Sequence, residues 1–329
     1  MEDFEKFYNG KTILVTGGAG SIGSEIVRSL LKLDPHAIRI LDINETGLFD
    51  LEQELQSPKI RTFIGDVRDK DRLKRAFEDV DIVFHAAALK HVPLCEYNPF
   101  DAVKTNVIGT QNVMDTALDE EVGKVILIST DKAVNPTNVM GATKLLSERL
   151  VISANHYKGK RQIAFSCVRF GNVMDSRGSV IPLFRSQIKK GGPLTVTDLN
   201  MTRFVMSIPN AVDLILKAAY ISKGGETFIL KMPALRIIDL AEVMAEELAP
   251  KNSKIEMKLI GKRAGEKLYE ELLTQDEVKY AVEKDGLYVL SLEDTLIRSM
   301  NEIKNYTSND AKKLSKEEII GLLKENHVI

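Results

Sequence analysis

The sequence is poor in the features that would most quickly betray a function. It has two cysteines, Cys95 and Cys167, in 329 residues, and no tryptophan. Two thiols this far apart form neither a disulfide framework nor a metal-ligand cluster; reduced, space-filling thiols are expected, and no metal. An excess of one charge is also missing: 45 Lys and Arg face 47 Asp and Glu, for a formal net charge of −2. That balance leaves no electrostatic footprint for nucleic acid or an anionic membrane, and the aromatic residues form no stacking array for bases. No apolar run reaches the ~18 residues of a membrane span. The acidic start MEDFEKFYNGK lacks the apolar centre of a signal peptide. A cytoplasmic protein with no nucleic-acid or membrane partner is expected.

What is present is alternation. Near-continuous apolar runs at 12–16, 38–43, 62–67, 82–87, 124–130 and 163–170 read as strands covered on both faces. Helical patterns at 21–33, 46–55, 70–77, 99–118 and 139–156 lie between them. Strand and helix in turn predict an α/β fold with a doubly wound parallel sheet of the Rossmann type. The rhythm breaks after Phe170. Residues 171–205 read as loop around one helix at 180–189. A helix at 209–221 and a strand at 227–231 could return to the main sheet. Residues 1–171, with 206–231, are therefore expected to form the dinucleotide domain. Residues 172–205 and 232–329 are expected to form a smaller α/β substrate lobe with a helical tail, in which Ser315 and Glu318 make a capping-box pattern.

The segment KTILVTGGAGSIG runs from a buried strand into Gly17, Gly20 and Gly23, with Ser21 and Ile22 opening a helix. Glycines at that spacing allow a tight turn, close approach of backbone to a pyrophosphate, and helix packing against the sheet. The helix N-terminus favours the anion. Asp42 follows Gly23 by 19 residues, at the end of the second strand. A carboxylate there accepts from ribose hydroxyls and repels a 2′-phosphate, so NAD is expected rather than NADP. Asp66 and Val67 are placed to meet the adenine, and Ala86, Ala87 and Ala88 offer small side chains where the cofactor passes.

The fifth strand ends in Ser129-Thr130-Asp131-Lys132, and Lys144 lies on the first turns of the helix beyond. An acid and a base side by side at the C-terminal end of a strand, beside a nicotinamide, form a site able to move protons.

The motifs TGGAGSIG, GDVRD, HAAALKHVP, STDKAVNPTNVMGATK, RFGNV, GSVIPLF, MTRF and RAGEKLYEELL together resemble the UDP-N-acetylglucosamine 4,6-dehydratases of the extended short-chain dehydrogenase/reductase superfamily, over residues 8–290. The resemblance implies a redox-neutral lyase. A hydride leaves C4 of the sugar, water is lost across C5 and C6, and the hydride returns to C6. It assigns Asp131 as the acid that releases water, Lys132 as the base at C5, Thr130 as partner of the C4 hydroxyl and Lys144 as orienter of the ribose. It also implies a UDP-sugar substrate held by Lys90, His91, Asn172, Val180, Thr195, Arg203 (the diphosphate clamp), Arg263 and Glu266 (the uridine end), and a homo-oligomer.

The superfamily's Tyr-x-x-x-Lys reads Met140-x-x-x-Lys144 here. Methionine cannot take a proton. Large dehydratases that retain C5 configuration resemble this chain in that respect, so retention at C5 is expected. The alternatives are C5 inversion and a nucleotide-sugar 4-epimerase.

Overall fold

A computed structural model describes residues 2–176, 178–250, 255–263, 265–291 and 306–329. In the first half, β1 (Thr12–Thr16), β2 (Ala37–Asp42), β3 (Ile60–Ile64), β4 (Ile82–His85), β5 (Lys124–Ile128) and β6 (Ala164–Arg169) alternate with helices. There follow β7 (Asn172–Val173), β8 (Leu194–Val196), β9 (Thr202–Met206), β10 (Glu226–Leu230), β11 (Ala234–Arg236), β12 (Met257–Leu259), β13 (Glu271–Leu273), β14 (Ala281–Lys284), β15 (Leu287–Ser291) and β16 (Tyr306–Thr307).

Nine described strands form one sheet in the order β14-β15-β10-β6-β5-β4-β1-β2-β3. From β10 to β3 the pairs are parallel. Strands β1, β4 and β6 are buried along their whole length. That is why β1 and β4 carry the unbroken apolar runs ILV and IVF rather than alternations, while β6 has Ser166 and Arg169 buried among apolar residues. Full burial of side chains such as Ile13, Val15 and Phe84 contributes roughly 1.5–3 kcal/mol each. The chain order reverses between β1 and β4, and in open parallel sheets a crevice for ligands opens at that point, beyond the carboxyl ends of the strands. The fold is thus the expected doubly wound α/β sheet.

The structure departs from the expected elements in four places. The third strand is Ile60–Ile64 rather than 62–67. The expected single helix over 99–118 is a series, Pro99–Ala102, a π-helical turn Val103–Ile108 and Gly109–Asp119, and an unexpected helix Val92–Tyr97 precedes it. Pro93 and Pro99 each stand in a first helical turn, where the missing N–H costs nothing and the chain can start afresh. Residues 171–205 contain β7, β8 and β9 as well as the helix Val180–Lys189; strands of two to five residues leave too little period to read. Residues 281–291, expected in the smaller lobe, form the hairpin β14–β15, which adds antiparallel to the edge of the main sheet at β10.

The remaining strands pair as β11-β9-β7, β12-β8 and β13-β16. A separate apolar cluster that includes Phe184, Leu194, Leu235, Leu240, Val243, Ile319 and Leu323 underlies the smaller lobe. Of the expected helical tail, residues 292–305 lie outside the described residues. The helix Lys316–Glu325 carries the capping box: Glu318 N donates to Ser315 Oγ at 3.2 Å and Ser315 N to Glu318 Oε2 at 2.8 Å. Among the described residues no helix is long and apolar enough to cross a membrane.

Candidate active site

The glycine turn sits at the crevice between β1 and β4. Gly17 has φ +67°, and a Cβ there would lie 2.6 Å from the backbone N of Ala87. Only glycine allows both the left-handed turn and this approach of two strand ends. Gly17 N donates to Leu41 O at 2.7 Å, tying the turn to β2. Asp42, ending β2, accepts from Ala19 N at 3.0 Å and from Asn44 N at 2.9 Å, so its carboxylate is fixed beside the turn. Gly20 caps the helix Ser21–Leu31, and no side chain closes that N-terminus. A backbone-lined turn, an uncapped helix start and a fixed carboxylate at the next strand end together fit a dinucleotide. Ala86, Ala87 and Ala88 form the opposite wall, with Ala86 N donating to Thr16 O at 3.1 Å. Val67 is buried. The Asp66 carboxylate is engaged by its own neighbour: Arg68 N and Nε each donate to it at 2.8 Å, and these bonds hold its pKa below the usual range.

Beyond β5 the chain makes a short 3-10 turn, Asp131–Ala133. Asp131 N donates to Phe170 O at 2.9 Å, which joins the ends of β5 and β6. Asp131 is wholly buried. Its Oδ1 accepts from Thr130 Oγ1 at 2.8 Å and from Lys132 Nζ at 2.9 Å, while Oδ2 has no hydrogen-bond partner. Room above Oδ2 exists because residue 171 is glycine: a Cβ there would lie 3.2 Å from it and 2.5 Å from Phe204 Cβ. Lys132 also reaches Asn172 Oδ1 at 3.3 Å and Glu270 Oε1 at 3.8 Å. Burial alone would lower its pKa, but Asp131 and Glu270 outweigh burial and hold it above the usual lysine value. Lys132 therefore rests as an ammonium.

Lys144 is buried on the helix Val139–Tyr157, with Nζ donating to Ile128 O at 2.7 Å, the last carbonyl of β5. Burial pushes its pKa down to about 8, against the pull of Glu148 one turn further on. Met140, one turn earlier, lies in a small apolar cluster with Cys95 and Ala102. Its side chain is packing, and nothing at that position exchanges a proton.

Two supports were not legible in the sequence. His85 is fully buried between Thr16 Oγ1, 2.7 Å from Nδ1, and Thr110 Oγ1, 3.0 Å from Nε2. Thr110 Oγ1 donates to Asn106 O at 2.5 Å, so Nε2 must be the donor to Thr110 and Nδ1 the acceptor from Thr16. Burial and the nearby Lys144 depress the His85 pKa to about 3, which keeps the ring neutral. Asn106, in the π-helical turn, clamps the loop after β4: it donates to Leu89 O at 3.0 Å, accepts from Leu89 N at 2.8 Å, and donates to Thr143 Oγ1 at 2.9 Å. Turns of this kind concentrate at functional sites.

The expected substrate residues are less evenly disposed. Asn172, on β7, touches Lys132 as described. His91 is exposed, with its ring against Gly178, and Lys90 before it is exposed as well. Val180 opens the helix Val180–Lys189, next to Ser179, whose Oγ is buried without a partner. Thr195, on β8, is held on both sides by Gln187, at 2.8 and 3.1 Å. Arg203, expected as the diphosphate clamp, is buried. It donates to the carbonyls of Thr202, Lys267 and Leu268 at 2.7, 2.9 and 3.2 Å, and lies 3.8 Å from Glu266 and 3.7 Å from Glu270. Arg263 is exposed, its N–H donating to Glu266 Oε2 at 3.1 Å. Two residues of the RAGEK segment are fastened to the chain beyond the 3-10 turn: Gly265 O accepts from Thr137 and Asn138, and Lys267 Nζ donates to Val134 O at 2.7 Å. Among the described residues no group of His, Cys, Asp and Glu could hold a metal ion.

This geometry can be set beside known proteins. A family model described as "Polysaccharide biosynthesis protein" matches residues 13–292. The chain belongs to that family. A relative from Methanocaldococcus jannaschii, called an uncharacterized membrane protein, is 66% identical over 99% of this chain and 98% of its own. A UDP-N-acetylglucosamine 4,6-dehydratase (inverting) from Campylobacter jejuni is 44% identical over 86% of this chain and 84% of its own. A UDP-glucose 4-epimerase from Rickettsia felis is 40% identical over 95% of both. Among solved structures, Pen from Bacillus thuringiensis superposes with a TM-score of 0.92 at 45% identity, over 97% of this chain and 98% of that one. DesIV from Streptomyces venezuelae, a dTDP-glucose 4,6-dehydratase with NAD and TYD bound, gives 0.70 at 27% identity, over 78% and 87%. The family therefore places this chain among extended short-chain dehydrogenase/reductase proteins of the dehydratase and epimerase kind.

These relatives correct one expectation. Retention at C5, inferred from Met140, is overturned by the inverting name of the Campylobacter enzyme. The physical reason is one of place. Met140 is buried against Cys95 and Ala102 and exchanges no proton, whereas configuration at C5 depends on which face of a sugar ring receives the returning proton.

Proposed function

We propose that this protein is an NAD-dependent 4,6-dehydratase of UDP-N-acetylglucosamine, forming a UDP-4-keto-6-deoxy-N-acetylhexosamine with C5 inverted. The observation that carries the reading is the buried Thr130–Asp131–Lys132 turn at the end of β5, beside a crevice built for a dinucleotide. The Campylobacter dehydratase, similar across most of the chain, supports the substrate and the inversion; NAD bound to DesIV supports the cofactor.

The turn 17–23, Asp42, Val67 and the wall 86–88 would hold the cofactor, with Asp66 near the adenine and Lys144 on the nicotinamide ribose. Bound there, NAD⁺ supplies a hydride acceptor for C4 and the same hydride for C6, so no reductant is consumed. Thr130, bonded to Asp131 at 2.8 Å, would meet the C4 hydroxyl, whose proton passes to water as the hydride leaves. A proton moving 2.9 Å from Lys132 Nζ to Asp131 Oδ1 turns ammonium and carboxylate into amine and carboxylic acid. The amine then takes the C5 proton, and the acid protonates the departing C6 hydroxyl as water. Inversion requires that the proton returning to C5 arrive on the opposite face. Asn172 and Lys90 with His91 would bound the sugar. Val180, Arg203 and Thr195 would line the diphosphate and base, with Arg263 and Glu266 at the uridine. A diphosphate reaching Arg203 would have to displace Glu266 from its side.

Buried, unpaired thiols at Cys95 and Cys167 suit a reducing compartment, and we place the enzyme in the cytoplasm. Leu94, Tyr97 and Phe100 are 61%, 88% and 79% exposed on neighbouring short helices, an apolar face that suits a homo-oligomer.

The second reading, 4-epimerisation, is favoured by the Rickettsia relative. One experiment separates the two. The protein is incubated with UDP-N-acetylglucosamine in D₂O and followed by proton NMR. A new C6 methyl signal with deuterium at C5 is expected. A 4-epimer without a methyl group would establish epimerisation instead, and no change with any nucleotide hexose would refute both.

A further inference from the structure

The acid–base pair has a third member that the motifs do not single out. Glu270, just before β13, is buried, and its Oε1 lies 3.8 Å from Lys132 Nζ and 3.7 Å from Arg203 Nε. Its Oε2 is buried without a hydrogen-bond partner, as is Oδ2 of Asp131 on the other side of the same ammonium. Glu270 N donates to Ser308 Oγ at 2.9 Å, and Ser308 N donates to Glu270 O at 2.8 Å, so its backbone is fixed from the C-terminal segment. A carboxylate this deep needs a reason, because burial of an incompletely hydrogen-bonded charge is costly.

We propose that Glu270 is a positioning residue for the acid–base pair: its carboxylate, backed by Arg203, holds Lys132 against Asp131 and sets whether Lys132 stands as ammonium or amine. The proposal rests on the dehydratase reading for its catalytic meaning, but not for its electrostatics. The charged groups around Lys132 are Asp131 on its own turn, Glu270 before β13 and Arg203 on β9; Lys267 lies near Glu270, and Asn172 on β7 adds a neutral acceptor. Burial, ahead of the opposing charges, raises the Glu270 pKa, so this carboxyl gains its proton more readily than an exposed glutamate. With Glu270 charged, Lys132 is an ammonium. With Glu270 neutral, one of two anions holding that proton is gone, and transfer from Nζ to Asp131 becomes easier. Only a proton moves, and no bond to carbon or electron transfer is involved.

The test is the Glu270→Gln variant, which keeps size and loses charge, with Glu270→Asp as the charge-conserving partner. Removing an anion ~4 Å from an ammonium lowers the lysine pKa by about one pH unit or more. The direct readout is the Nζ resonance of Lys132 in protein carrying ¹⁵N-lysine, assigned with Lys132→Arg. Glu270→Gln should move its titration at least about one pH unit down, and Glu270→Asp should restore most of it. In the kinetic readout, the acid limb of kcat moves down by the same amount while KM changes less than about twofold. An unmoved Lys132 titration in a folded Glu270→Gln protein overturns the proposal, whatever the rates. If wild-type protein dehydrates no nucleotide hexose, the functional reading fails, and the lysine titration still decides the role of Glu270. If Glu270→Gln does not fold, Glu270→Met, which removes the anion without leaving a buried polar group, decides it: the Lys132 titration must again move down by about one pH unit or more, and an unmoved titration overturns the proposal.

Discussion

Replacing Lys144 with methionine should make the protein more stable at neutral pH while disabling the site. The lysine is 6% exposed, and burial takes its pKa from 10.5 to about 8. In the unfolded chain the ordinary value returns, so below pH 8 the folded state carries a charge that it would rather lose. The drop from 10.5 to about 8 corresponds to a cost of about 3 kcal/mol. Methionine has similar length and no charge, but it leaves Ile128 O without the 2.7 Å bond, a loss of about 1 kcal/mol. The variant should therefore gain about 2 kcal/mol at pH 7. The sign of the pH dependence follows from linkage. A depressed lysine pKa means that between about 8 and 10.5 the unfolded state binds more protons than the folded one, so wild-type stability rises with pH across that window. By pH 9.5 the wild type should have recovered about 2 kcal/mol and the advantage of the variant should be close to nil. Urea unfolding followed by circular dichroism at pH 7 and 9.5 measures this difference. A variant less stable than wild type by the same amount at both pH values would refute the buried-charge argument and make Lys144 an ordinary packed lysine.

Three shorter predictions concern other links in the chain from sequence to function. Gly17→Ala forces a β-carbon into the Ala87 backbone and an L residue into φ +67°, a strain of about 1–2 kcal/mol before any overlap; isothermal titration should show NAD affinity reduced at least about tenfold. Arg169→Met strands two buried carboxylates, Glu148 and Glu277, now bonded to Arg169 at 2.7 and 3.0 Å, so about 3–5 kcal/mol of stability should be lost in thermal melts. Tyr97→Lys with Phe100→Lys places charge on the exposed apolar face; light scattering should then report monomers with an unchanged circular dichroism spectrum.

The fold was legible where burial leaves a pattern long enough to read. Strands β1, β4 and β5 are sandwiched between helices, so their residues ILV, IVF and VIL are apolar without interruption. The smaller lobe was not legible in the same way. Strand β7 has two residues and β8 three, and β12 is exposed at all three of its positions. Period-two alternation cannot be recognised over so few residues. The hairpin β14–β15 has enough residues, but its place on the main sheet depends on pairing with β10, more than 50 positions earlier in the chain. Local pattern carries no information about a partner so distant.

The site divides by the same logic. Gly17, Asp42, Asp131, Lys132 and Lys144 stand at the ends of strands or on the turn of helix that follows, where topology alone says that side chains converge. Glu270, His85 and Asn106 do not announce themselves, because each works through contacts made only in three dimensions. Glu270 was nonetheless within reach of a physical argument. The segment GEKLYEELL carries three glutamates, and Glu270 is the one that is buried, while Glu266 is half-buried and Glu271 turns to Asn135 at 2.6 Å. A carboxylate followed by the strand β13, with its apolar Leu272 and Leu273, is carried inward by the strand it precedes. Once inside, it needs cations, and Lys132 and Arg203 are the ones the fold brings to it. The same buried carboxyl that weakens the fold locally would thus, by gaining or losing its proton, bias the protonation of a lysine that stands within one hydrogen bond of Asp131.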